Sequence, residues 1–216
     1  SRVPGFSDDG RPLPDLDRRS LAELPFDEQA FLAETGSPAL IGEVGFTTLE
    51  RRSSRPTLDV NGIWGGFSGD GPKTIIPAEA HAKISCRLVP DQEPARIFEA
   101  LRAYILEVAP PGVRVDVRQL GLGAPGATAI DHPVTQAAAR AIEATFGQPP
   151  VYIREGGSVP VAAVFEPILG TPPFLLGFMN PDCRAHAPDE SLVWDNFERG
   201  IRALVRFWDE VAALPR

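Results

Sequence analysis

Between Ala80 and Leu120 the hydrophobic period switches twice, and nothing else in the chain constrains its fold as strongly. Ala82, Ile84, Cys86 and Leu88 alternate with His81, Lys83, Ser85 and Arg87, the two-residue period of a half-buried strand. Pro94 then opens a helix, a position where proline is tolerated. Ile97, Leu101, Tyr104, Ile105 and Val108 fall on one face of it, and Pro110-Pro111-Gly112 ends it. Val113, Val115 and Val117 next alternate with Arg114, Asp116 and Arg118, so a strand is expected over 113–120. With Thr57 to Trp64 read as a strand before the turn at Gly65 to Pro72, the pattern predicts strands near 57–64, 80–89 and 113–120. Helix 94–108 would pack on one face of that α+β sheet. Such a sheet keeps open edges, and a segment upstream is expected to complete it.

The segments on either side differ in character. Residues 1–56 form a polar, proline-rich lead-in with short helices, the clearest being Asp27 to Thr35, stopped at Gly36. Prolines number 23, about twice the usual share, and stand at element ends as punctuation. A boundary is placed at the Gly/Ala/Pro stretch from Gly121 to Ala129. Beyond it, residues 121–216 read as alternating α and β. A helix behind His132-Pro133 buries Ala137, Ala138, Ile142 and Phe146. Short strands are expected at Val151–Ile153 and Pro172–Phe178. A helix capped by Ser158 lies between them. A last helix, near 192–214, carries Phe197, Ile201, Leu204, Trp208 and Val211 on one stripe. The domain reading is therefore 1–56, 57–120 and 121–216.

Composition narrows the function classes. A net charge of −8 without a basic block argues against nucleic acid and anionic membranes as partners. No apolar run reaches the roughly 20 residues of a membrane-spanning helix. No signal peptide is visible, and a start at Ser-Arg-Val-Pro fits a processed or truncated chain. Two cysteines, Cys86 and Cys183, make no disulfide framework, so a reducing cytoplasm is expected.

The chemistry-bearing residues are few. His186 sits in a polar, Pro-bounded loop after the expected strand Pro172–Phe178, the end of a strand where α/β sheets bind ligands. A neutral imidazole there suits a metal, yet one ligand does not make a site of three or four. A lone loop histidine is more often plain surface. Gly156-Gly157-Ser158 opens a helix whose N–H groups suit a carboxylate, against the plainer reading of a turn and cap. Arg87 is either a solvated position on the sheet or a two-pronged clamp on a carboxylate. Cys183 and His186 form C-x-x-H without an orienting third group or a second pair of ligands, a poor nucleophile and a poor zinc pair.

Five segments, taken together, resemble a known family. They are Thr57-Leu58-Asp59-Val60-Asn61-Gly62-Ile63, Lys73-Thr74-Ile75-Ile76-Pro77, Ser85-Cys86-Arg87-Leu88-Val89-Pro90, Arg154-Glu155-Gly156-Gly157-Ser158-Val159-Pro160 and His186-Ala187-Pro188-Asp189-Glu190. Their order and spacing are similar to those of M20-type metallopeptidases, the carnosinase-like and succinyl-diaminopimelate-desuccinylase-like dipeptidases. The resemblance covers about the second half of the family's chain. It implies an α/β fold: the second half of an α+β lid, or dimerisation, sheet over 57–120, followed by the closing part of a zinc-peptidase α/β catalytic domain.

What else the resemblance implies is specific. His186 corresponds to the family's last metal-ligand histidine, and Arg87 to an arginine that binds the substrate carboxylate. Thr74 corresponds to a threonine that reaches the substrate, and Gly157 and Ser158 lie in the loop holding the substrate's C-terminal end. Two zinc ions, or another divalent metal, are implied for the complete enzyme. The other metal ligands and the general-base glutamates are expected upstream, so no catalytic residue is assigned here and this stretch alone is expected to be inactive. The implied substrate is a small peptide or N-acyl amino acid, and the implied assembly a homodimer through the lid. The competing reading is a non-catalytic carboxylate-binding or dimerisation module. His81 and His132 match no ligand and read as structural. One departure stands out: Asp182-Cys183-Arg184 stands where the family has Asp-Asp-Asn or similar.

Overall fold

The computed structural model describes residues 2–154, 162–170, 172–180 and 182–215. They form two compact units, one built on 2–12 and 37–125, the other on 13–36, 126–153 and 162–215. The polar lead-in is thus shared between them.

The first unit holds helix α3 (Thr48–Ser54), strands β1 (Thr57–Gly65) and β2 (Ala80–Arg87), and helix α4 (Pro94–Val108). α3 begins with a capping box: Thr47 and Glu50 each satisfy the other's backbone N–H. β1 and β2 pair antiparallel, with Leu58 opposite Cys86 and Val60 opposite Ile84. A bulge between Val60 and Gly62 then shifts the register, so Ile63 comes opposite Ala82 and Trp64 opposite His81. One extra residue reverses the parity of the strand, moving its apolar positions from even to odd numbers.

The core of this unit joins α4 to the sheet and to the chain's first residues. Val3, Phe6 and Ile97 are buried, with Leu58, Cys86, Leu88, Ala100, Leu101 and Tyr104 packed around them. Phe6, at 1% exposure, is the largest fully buried side chain. Gln92 fastens this segment down: its Nε2 donates to the Phe6 carbonyl (2.6 Å) and its Oε1 accepts from the Val89 N–H (2.9 Å). Arg11 adds a two-pronged ion pair with Asp91, at 2.7 and 2.6 Å.

Residues 113–120 form no strand among the described residues, a correction to the sequence reading. Alternating valines mark two faces but supply no neighbouring backbone, and a ladder needs one. The described sheet has two strands only. Residues 151–153 and 172–178 likewise form no strand, for the same reason. In the latter the alternation still places side chains: Phe174 and Leu176 pack on the core, while Leu175 is exposed.

The second unit holds α1 (Asp15–Ala22), α2 (Glu28–Thr35), α5 (Pro133–Phe146), α6 (Ala162–Leu169) and α7 (Trp194–Ala212). Asp27 caps α2, accepting from the N–H groups of Gln29 and Ala30, and Gly36 ends it in the left-handed conformation. His132 caps α5 through Nδ1, which accepts from the Val134 N–H at 3.2 Å. α5 packs against α7 around Ala137, Ala138, Ala141 and Phe207.

The buried edge of α7 is Gly200, Ala203 and Phe207; of the expected stripe, Val211 packs on the core. Phe197, Ile201, Leu204 and Trp208 remain largely exposed. The core with α5 joins three alanines of α5 to Phe207, while Gly200 meets the Phe178 ring and Ala203 is buried. A stripe drawn through the largest apolar side chains misses that edge. No helix among the described residues is long and apolar enough to cross a membrane.

Candidate functional site

Arg87 is the last residue of β2, opposite Thr57 of β1. Its side chain is exposed, and among the described residues it has neither hydrogen bond nor ion pair. Its neighbours on the sheet are already engaged. Asp59 accepts from the Thr57 hydroxyl at 2.8 Å, and the Lys83 ammonium lies 5.8 Å from the Trp64 ring. Trp64 in turn stacks on His81, with centroids 4.9 Å apart. Burial first, and the Asp59 charge second, push the Cys86 thiol above its ordinary range, so it stays neutral and packs as a small apolar group. Arg87 therefore presents a guanidinium with open donors from a fixed strand position, which suits a carboxylate.

Thr74 lies in the irregular segment joining β1 to β2, and it too is exposed. A shallow cleft of about 540 Å³ adjoins this segment, lined by Trp64, Ile75, Ile76, Glu79 and His81 among others. The adjacent Lys73 is held over the Phe67 ring at 5.2 Å. Gly157 and Ser158, the expected anion-binding turn, lie outside the described residues, as does the expected Ser158 cap.

His186 belongs to the second unit. It is exposed, and its backbone is left-handed, with φ of 60°. Arg184 and Asp189 share that conformation, at 55° and 63°. Three non-glycine residues in this region within six positions cost on the order of 1 kcal/mol each, so surrounding bonds must hold them. The Ser191 N–H donates to the Cys183 carbonyl (2.9 Å) and the Ala187 N–H to the Arg184 carbonyl (2.9 Å). The Cys183 N–H donates to the Asn180 carbonyl (3.1 Å), and Cys183 itself is buried. Arg184 approaches Asp189 at 3.7 Å, an exposed pair that contributes little. Nothing in the sequence marks this strain, because no glycine signals it.

An exposed imidazole on a braced loop fits one ligand position of a divalent metal. Among the described residues no group of three or more His, Cys, Asp or Glu side chains could hold an ion. The described residues thus offer one ligand and not a site.

The comparisons with known proteins agree with this partial inventory. Residues 18–113 match the family described as the peptidase dimerisation domain, M20_dimer. The Cys-Gly metallodipeptidase dug1 of Schizosaccharomyces pombe is 33% identical over 170 residues, 77% of this chain and 36% of that protein. Human Beta-Ala-His dipeptidase is 27% identical over 216 residues, 98% of this chain and 42% of that protein. In structure, the M20 family metallo-carboxypeptidase Sso-CP2 from Sulfolobus solfataricus superposes with a TM-score of 0.86 at 27% identity. That match covers 99% of this chain and 48% of the other. The chain spans less than half the length of the curated relatives it matches. Motifs, sequence relatives and superposition together place the chain in the M20 metallopeptidase family.

Proposed function

We propose that these residues work as part of a dinuclear metal-dependent dipeptidase that cleaves a peptide or amide bond next to a free carboxylate. The observation that carries this reading is the exposed guanidinium of Arg87 at the end of β2, unpartnered among the described residues. In the proposed arrangement Arg87 binds the substrate carboxylate in fork geometry, and Thr74, Gly157 and Ser158 complete the hold on that end of the substrate. His186 supplies one metal ligand through its neutral imidazole. The chemistry that a pair of divalent ions, zinc by preference, supplies when bound is polarisation of the scissile carbonyl and activation of a water. This chain's own share is to bind and orient the substrate and to hold one corner of the metal centre.

Residues 57–120 would then serve as lid and homodimer contact, and 121–216 as the closing part of the catalytic domain. On its own, the 216-residue chain would neither bind zinc tightly nor hydrolyse dipeptides. The names of the relatives suggest small dipeptides such as Cys-Gly or β-Ala-His as first substrates to try. Two free cysteines suit a reducing compartment.

Kinetics of the full-length protein on paired free-acid and C-terminally amidated dipeptides test the reading. Arg87→Ala is expected to lower kcat/KM by roughly 1.5–3 kcal/mol on the free acid, chiefly through KM, and far less on the amide. Arg87→Lys should not restore the loss, because an ammonium lacks the fork. Equal losses on both substrates would assign Arg87 to the sheet. Absence of any hydrolysis would favour a carboxylate-binding or dimerisation module.

A further inference from the structure

We infer that Asn196, in the first turn of α7, is the positioning residue of the His186 loop; this rests on the metal-ligand reading of His186. Its Nδ2 donates to the Phe178 carbonyl (3.3 Å) and to Asn180 Oδ1 (2.5 Å). The Asn180 carbonyl accepts from the Cys183 N–H (3.1 Å), and the Cys183 carbonyl accepts from the Ser191 N–H (2.9 Å). One continuous path of hydrogen bonds therefore runs from α7 to both ends of the loop that carries His186. Asn196 and Asn180 are both partly buried, and Cys183 is buried, so the path is shielded at its root and exposed only at the histidine.

The backbone explains why such a tie is needed. Arg184, His186 and Asp189 are all left-handed without being glycine, a conformation the isolated loop would leave. The exposed Arg184–Asp189 pair is too well solvated to hold it. Asn196 falls on the same stripe of α7 as the buried Gly200, Ala203 and Phe207, and Phe207 belongs to the core shared with α5. The loop thus borrows its rigidity from the α5–α7 core, and Asn196 is where that rigidity is passed on. Oriented ligands bind metals more tightly, and partners that orient them matter about tenfold or more in affinity.

Hydrogen exchange and zinc affinity, measured on the full-length protein with Asn196→Asp and Asn196→Ala, test the claim. Asn196→Asp removes both donors yet adds a favourable charge to the first turn of α7, so the helix itself is not weakened. The expected result in the metal-free protein is exchange at the Cys183 and Ser191 amides faster by about tenfold, the worth of one hydrogen bond. Exchange at Ala203 and Phe207 should not change. Zinc affinity by chelator competition should fall about tenfold. Asn180→Ala should give the same pattern, and the double variant no more than either. Unchanged exchange at Cys183 and Ser191, or equal acceleration throughout α7, would overturn the positioning role. So would faster loop exchange with unchanged zinc affinity, provided that His186→Ala does weaken zinc. If His186→Ala leaves zinc binding intact, it is the metal reading that fails, and the exchange data still decide whether Asn196 holds the loop.

Discussion

Gly200 of α7 and Phe178 meet at a distance that admits no side chain. A Cβ at position 200 would stand 2.9 Å from Cδ2 and 3.1 Å from Cγ of the ring. Phe178 cannot easily give way, because its other face stacks on Phe146 with centroids 5.9 Å apart and planes 6° apart. Gly200→Ala gains about 1 kcal/mol of helix propensity but overpacks the contact by about 1–3 kcal/mol. A net loss of roughly 1 kcal/mol is expected, read as a lower urea midpoint at constant slope. A midpoint at or above wild type would mean that the ring moves aside freely.

Phe6 lies in the stretch whose composition reads as a polar lead-in, yet it is the largest fully buried side chain described. Phe6→Ala should cost about 3–5 kcal/mol by denaturant unfolding, because Val3, Ile97 and the sheet cannot collapse onto the space. The Gln92 bond to the Phe6 carbonyl survives the change, since it is to the backbone. A loss below about 1 kcal/mol would show that this segment frays from the unit.

Glu43 and Arg55 form a two-pronged ion pair, both bonds 2.7 Å, with the guanidinium also 4.5 Å from the Phe46 ring centroid. The hydrogen bond from Arg55 holds the Glu43 carboxyl below its ordinary range, and the same bond raises Arg55. A lowered carboxylate pKa contributes stability above its unfolded value and loses it as pH falls through the folded one. The melting-temperature gap between wild type and Glu43→Gln should therefore be open at neutral pH. It should close below about pH 4 and shrink with added salt. A gap that is constant through the acid range would show that the pair carries no such linkage.

How much of this was legible in the sequence divides along physical lines. Periodicity and caps are local: α4 spans Pro94–Val108 and β2 begins at Ala80 as the pattern predicts. Gly36 ends α2 in the left-handed conformation that a C-terminal glycine suggests. What failed was non-local. Val113–Val117 alternates without finding a ladder partner among the described residues, and the buried edge of α7 runs through Gly200, Ala203 and Phe207. The candidate residues were found by motif. Their settings were not: neither the left-handed backbone at His186 nor the Asn196–Asn180 tie leaves a local mark, because both arise where distant segments meet.

The central claim is that His186 is one corner of a metal centre in a dipeptidase, and counting metal tests it most directly. Metal per protein in the full-length wild type and in His186→Ala should be measured by elemental analysis after dialysis against trace chelator, with dipeptide turnover on the same samples. The expected result is loss of about one ion per chain in the variant. Turnover should fall at least 100-fold, with little change in melting temperature of the metal-free forms. Equal metal content and equal turnover in the two proteins would contradict the account.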